Sequence, residues 1–146
     1  MKIAVGNDHA GFPLRDAVMA AIRGLGHEVV DFGTATQDAC DYPDVVVPLA
    51  AAVVAGECDL GILFCGTGIG MSIAANKVKG IYAARCEDCY AAEMARAHNS
   101  ANVLTMGGRT LGPGLAEEVT RVFLTTAPLN EERHQRRQQK VRNLEG

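Results

Sequence analysis

No run of apolar residues in this 146-residue chain reaches the roughly 18 to 20 residues that a membrane-spanning helix needs, so no such span is expected. The N-terminus, Met1-Lys2-Ile3-Ala4-Val5, enters a strand-like run directly and reads as free of a signal peptide, which together with the first absence points to the cytoplasm. The five cysteines are odd in number and follow no regular framework, which argues for reduced thiols rather than a disulfide scaffold. Cys86-Glu87-Asp88-Cys89 is not accompanied by a second Cys or His pair at metal-ligand spacing, so no metal site is expected. Its two adjacent acids also work against a reactive redox pair, because negative neighbours disfavour a thiolate. Neither G-x-G-x-x-G nor the P-loop pattern with its Lys and Ser/Thr occurs, which leaves nucleotide binding without support. Repeats, low-complexity segments and dividing linkers are missing as well, so residues 1–146 read as a single domain ending in a basic helix at 130–145.

What is present is a soluble, globular composition, 48% hydrophobic and 21% charged, with 16 glycines that suit an α/β fold rich in tight turns. The net charge of -3 is uneven: residues 131–146 carry +2 and the remainder -5. A basic tail on an acidic body suggests a local anion site. It lacks the broad basic face that general nucleic-acid binding requires.

The organising stretch is Phe64-Cys65-Gly66-Thr67-Gly68-Ile69-Gly70-Met71. It follows Leu60-Gly61-Ile62-Leu63-Phe64, a continuous apolar segment that reads as a strand buried on both faces, and it leads into a helix-forming run. Alternating glycines at a strand-to-helix turn bring bare N–H groups close to a ligand, and the helix start adds partial positive charge. That makes a cradle for an anion, in which Cys65 is favoured as thiolate. The plainer alternative is a turn that serves only tight packing, with Cys65 as a small buried apolar residue.

The whole chain alternates strand and helix. Strands are expected at 2–6, 27–32, 60–64, 80–84 and 102–106, with helices between them and a fifth helix on Leu115, Val119, Val122 and Phe123. Asp41-Tyr42-Pro43-Asp44 reads as a turn, with Pro48 in the first turn of the second helix. This pattern implies a Rossmann-like, doubly wound α/β domain: a five-stranded parallel sheet of order 2-1-3-4-5 with helices on both faces. Strands one and three then meet at the switch point, where Asp8 and His9 face the Cys65 loop. Asp8 alternatively serves as a helix cap. In the tail, Arg133 and Arg137 lie one helical turn apart and suit a phosphate clamp or, equally, a solvated charged face; Arg109, just beyond strand five, is placed to join them. His98 and Asn99 fall at the opposite edge of the sheet from the glycine loop, so they are either structural or serve a neighbouring subunit's site.

Asp8-His9-Ala10-Gly11, Asp41-Tyr42-Pro43, Cys65-Gly66-Thr67-Gly68-Ile69-Gly70, Ser72-Ile73-Ala74-Ala75-Asn76-Lys77, His98-Asn99, Ala101-Asn102-Val103-Leu104 and Arg133-His134-Gln135-x-Arg137 together resemble the type B ribose-5-phosphate isomerase family, which includes galactose-6-phosphate isomerase subunits. The match runs in order over nearly the whole chain. The resemblance implies interconversion of ribose 5-phosphate and ribulose 5-phosphate through a cis-enediolate, with no cofactor. It implies Cys65 as the base, Thr67 as its hydroxyl neighbour, and the amides from Gly66 to Gly70, those of Gly66, Thr67, Gly68, Ile69 and Gly70, as the anion hole. His98 from a partner subunit would assist ring opening, Asp8 and Asn99 would hold sugar hydroxyls, and Tyr42 would line the pocket. His9, Arg109, Arg133 and Arg137 would bind phosphate, in a homodimer or tetramer with shared sites. One branch of the family takes its base from a glutamate just after the loop; here Cys65 is present and Met71 stands at that place, which matches the cysteine branch. The alternatives are a hexose 6-phosphate or tetrose 4-phosphate substrate, a non-catalytic sugar-phosphate-binding module, or thiol redox at Cys86 and Cys89.

Overall fold

β3 (Leu60–Cys65) is buried along its whole length, because the sheet carries helices on both of its faces and no residue of a central strand meets water. The computed structural model describes residues 1–146. β1 (Lys2–Asn7) and β5 (Val103–Gly107) flank β3, while the short strands β2 (Glu28–Asp31) and β4 (Ala83–Arg85) form the edges. All pairings are parallel, and the order is β2-β1-β3-β5-β4.

The expected order 2-1-3-4-5 is therefore corrected at one edge: β5 lies inside and β4 outside. The physical reason is burial. Val103-Leu104-Thr105-Met106-Gly107 is wholly buried and demands neighbours on both sides, whereas Ala83-Ala84-Arg85 is short, partly exposed and ends in a charge, as edge strands do. The swap brings the carboxyl end of β5 beside that of β3, with Cys65 opposite Gly107.

α1 (Arg15–Gly24), α4 (Cys89–Ala97) and α5 (Pro113–Thr125) cover one face, and α2 (Tyr42–Val54) and α3 (Ile69–Ala75) the other. Leu14, Val18, Ile22, Phe64, Met106 and Phe123 anchor the first core, and Val46, Leu49, Leu63, Met71 and Val103 the second. Fully burying each such side chain contributes roughly 1.5–3 kcal/mol. No helix is long and apolar enough to cross a membrane.

Two local readings also change. α2 begins at Tyr42, so the expected turn at residues 41–44 is the helix start, with Pro43 in the first turn and Pro48 in the interior. The helix tolerates that proline because Val45, Val46, Leu49, Ala50 and Val53 are buried, which offsets a lost backbone hydrogen bond. In α5 the buried stripe is Ala116, Val119, Thr120 and Phe123, while Leu115 is exposed.

α6 (Glu132–Arg142) is the basic terminal helix. On the free edge of β4, the Asn76 side chain donates to the Ala83 carbonyl (2.9 Å) and accepts from the Ala83 N–H (2.8 Å), so it occupies the place of a neighbouring strand there.

Candidate active site

The carboxyl ends of β1, β3 and β5 converge on the glycine loop. Gly68 has φ +76° at the start of α3, and a Cβ there would also stand 2.9 Å from the Met106 carbonyl carbon, so only glycine fits. At Gly70 a Cβ would lie 2.8 Å from Cζ of Tyr42, whose ring rests on that residue. β5 closes the other side: Gly108 N–H donates to the Cys65 carbonyl (2.7 Å) and Arg109 N–H to the Gly66 carbonyl (2.9 Å). The Arg109 guanidinium lies over Gly66, about 3.5 Å from where its Cβ would be.

Cys65 sits buried at the base of this loop, and the Gly68 N–H donates to its Sγ at 3.2 Å. The Ile69 N–H donates to Thr67 Oγ1 at 3.2 Å. Two of the amides expected in the anion hole, those of Gly68 and Ile69, are thus turned onto the loop's own side chains. The N–H groups of Gly66, Thr67 and Gly70 make no hydrogen bond within the chain and are free for an incoming anion.

At the end of β1, Asp8 Oδ1 accepts from the N–H groups of Ala10 (2.9 Å) and Gly11 (3.0 Å), so part of the carboxylate shapes the loop before α1. His9 Nδ1 accepts from the Cys40 N–H at 3.3 Å, which leaves Nε2 as the donor of the neutral ring. Behind them Asn7 is fully buried and satisfied: Nδ2 donates to the carbonyls of Asp8 and Thr34 (both 3.1 Å), and Oδ1 accepts from Arg15 (2.7 Å). Arg15 is in turn paired with Asp31. Burial raises the Asp31 carboxyl, but the hydrogen bonds from Arg15 and Gly33 and the positive charge of Arg15 outweigh it and hold it below the ordinary value.

Asp8, His9, Tyr42, Cys65, Gly66, Thr67, Gly68, Ile69, Gly70 and Arg109 therefore share one end of the sheet. His98, Asn99, Arg133 and Arg137 do not join them. Because α4 returns from the carboxyl end of β4 to the amino end of β5, His98 and Asn99 lie at the opposite pole. The separation runs along the strands rather than across the sheet, as the order 2-1-3-4-5 had implied. There α6 packs on the end of α4: His98 and His134 rings stack, and Gln138 Nε2 donates to the His98 carbonyl at 2.8 Å. Arg133 and Arg137 are exposed on the same helix, Arg133 pairing with Glu131 at 2.8 Å.

Three positioning residues carry little signal in the sequence. Thr105 interrupts an apolar strand, and its hydroxyl donates to the Gly68 carbonyl at 3.0 Å. Arg85 Nε donates to the Thr67 carbonyl at 2.6 Å. His134 reads as one more polar residue of a charged helix, yet it is buried. Cys86 is buried too, and desolvation followed by the nearby Asp88 pushes its thiol up to about 11, which leaves it inert beside Cys65.

A family model described as Ribose/Galactose Isomerase matches residues 3–141. Ribose-5-phosphate isomerase B of Escherichia coli is 44% identical over 144 residues, covering 99% of this chain and 96% of that protein. A 4-deoxy-4-sulfo-D-erythrose isomerase of a Clostridium species is 46% identical over 127 residues, 86% of this chain and 80% of that protein. Among solved structures, type B ribose 5-phosphate isomerase of Trypanosoma brucei superposes with a TM-score of 0.95 at 47% identity, over 98% of this chain and 97% of the other.

Proposed function

Because this chain belongs to the ribose/galactose isomerase family, it is a sugar-phosphate isomerase, and we propose that it interconverts ribose 5-phosphate and ribulose 5-phosphate. The observation that carries the chemistry is the Cys65 sulfur, held 3.2 Å from the Gly68 N–H at the base of a loop with unpaired amides. The Cys65 thiolate takes the proton from C2 of the open-chain aldose, and the electron pair moves through C1 to the aldehyde oxygen. The free N–H groups of Gly66, Thr67 and Gly70 hold the negative charge of the resulting cis-enediolate. Returning the proton from Cys65 to C1, with the hydroxyl proton passing between O2 and O1, gives the ketose. The redox change stays within the sugar, so the step needs no external oxidant or reductant.

The distribution of the remaining residues favours a homodimer with shared sites. One subunit supplies Asp8, His9, Tyr42, Cys65, Thr67 and Arg109. A second copy supplies His98 for ring opening, Asn99 for a sugar hydroxyl, and Arg133 and Arg137 for the phosphate, since these lie at the other pole of their own subunit. His9, with Nε2–H as donor, and Arg109 complete the phosphate clamp.

The test is turnover of ribose 5-phosphate by the purified protein without added metal or nucleotide, with Cys65→Ala in parallel. Parent activity that falls by about 10²-fold or more in a folded variant supports both the reaction and the base. Equal turnover by both keeps the isomerase and moves the base elsewhere. A shorter, four-carbon substrate is the second reading, favoured by the 46% identity to an erythrose-derivative isomerase. Competition between ribose 5-phosphate and erythrose 4-phosphate, judged by kcat/KM, decides between them.

A further inference from the structure

Arg85, the last residue of β4, and Thr105, in the middle of β5, are register partners, and each grips one of two successive peptide groups of the glycine loop. Thr105 Oγ1 donates to the Gly68 carbonyl, fixing the peptide whose N–H belongs to Ile69. Arg85 Nε donates at 2.6 Å to the carbonyl of Thr67, and the N–H of that same peptide group is the Gly68 N–H that points at Cys65 Sγ. The peptide is trans, so its C=O and N–H project in opposite directions, and a donor on one side is in line with an acceptor on the other.

We propose that Arg85 is a positioning residue that acts on Cys65 through the Thr67–Gly68 peptide group. A guanidinium bonded to the carbonyl draws electron density toward oxygen, which makes the N–H a stronger donor to sulfur. It also prevents that peptide from rotating, so the N–H stays on the thiolate when substrate enters. The side chain is 32% exposed, and its charge is opposed by an ion pair with Glu87, so the strength of the relay is set by the Arg85–Glu87 pair. The other ionisable groups around the loop are Asp8 and His9 after β1, Tyr42 on α2 and Arg109 after β5. None of them reaches the Thr67 carbonyl, which accepts a side-chain hydrogen bond from Arg85 alone. The relay rests on Cys65 being the base, and its test separates the two.

The experiment follows iodoacetamide alkylation of Cys65 against pH by peptide mass spectrometry, beside steady-state turnover of ribose 5-phosphate, in the full-length parent, Arg85→Met and Glu87→Gln. Arg85→Met is expected to move the alkylation midpoint up by about half a pH unit or more, and to lower kcat about three- to tenfold with KM within about twofold. Glu87→Gln, which leaves the guanidinium unopposed, is expected to move the midpoint down. Opposite shifts from two neighbouring substitutions cannot come from a general loosening of the edge strand. An unchanged midpoint in both folded variants overturns the relay. Shifted midpoints with kcat unchanged uphold the relay to sulfur and overturn Cys65 as the base. If Arg85→Met does not fold, Glu87→Gln decides alone, by the presence or absence of the downward shift.

Discussion

His98 and His134 stack face to face, with ring centroids 4.2 Å apart and planes inclined by 13°. Burial, followed by the positive fields of His98, Arg133 and Arg137, holds His134 below the ordinary histidine value, and Glu131 only partly opposes this. Its Nε2 has no hydrogen-bond partner, and the nearest carboxylate oxygen, on Glu131, is 3.8 Å away. The folded state therefore releases the His134 proton more readily than the unfolded chain. The stack contributes its full stability above about pH 6.5 and loses it as pH falls toward the lower folded value. Thermal unfolding between pH 5 and 8 is expected to show a steeper acid-side fall in the parent than in His134→Phe, which keeps a ring against His98 and has nothing to protonate.

Hybrid dimers test the proposal that two subunits share each site. Cys65→Ala and His98→Ala are each expected to be nearly inactive alone. Unfolded together and refolded, they are expected to regain about a quarter of parental activity, because half the dimers are mixed and one of their two sites is intact. No recovery, with mixed dimers demonstrated by native mass spectrometry, means that each subunit carries its own complete site.

Gly68→Ala meets two obstacles at once, a left-handed backbone and the Met106 carbonyl 2.9 Å away. The left-handed conformation alone costs roughly 1–2 kcal/mol. The variant is expected to unfold at lower denaturant concentration and to lose most of its turnover, because relief of the clash swings the Gly68 N–H away from Cys65. Urea titration and a kcat measurement on the folded fraction read the two effects separately.

Asn7→Ala removes the acceptor of Arg15 and the donor to Asp8 and Thr34 from a fully buried position. Arg15 keeps Asp31, while the Asp8 carbonyl loses its buried donor; an unsatisfied buried group costs about 1–3 kcal/mol, so destabilisation of that order is expected, with a raised KM from the disturbed Asp8-His9 turn. The Arg15–Asp31 pair nearby has the same pH sense as His134, because both groups are held below their ordinary values in the folded chain. Its contribution is present above the ordinary carboxylate value of about 3.9 and is lost as pH falls through the lower folded value, so it disappears during acid unfolding.

The parallel sheet was legible because the apolar runs at 2–6 and 60–64 are continuous and punctuated by glycine, and the buried faces of α1 and β3 followed directly. The placement of β4 and β5 was not read correctly, although the contrast between Val103-Leu104-Thr105-Met106 and Ala83-Ala84-Arg85 carries it: the more apolar strand takes the interior place. Cys65 and its glycines stood out because the loop's conformation depends on local residue types. Arg85, Thr105 and His134 did not, since each acts through a partner from 18 to 37 residues distant, a separation that no local pattern encodes.

The Asn76 amide that pairs with Ala83 has a bearing on how the chain survives its own synthesis. An uncovered strand edge is a template on which identical chains can stack into fibrils, and β4 is the last of the sheet's strands on that side. Asn76 precedes Ala83 by seven residues in the chain, so the cap leaves the ribosome before the strand it blocks. In the folded chain Asn76 guards the Ala83 position of that edge, and Asn76→Ala is the substitution that would leave it open.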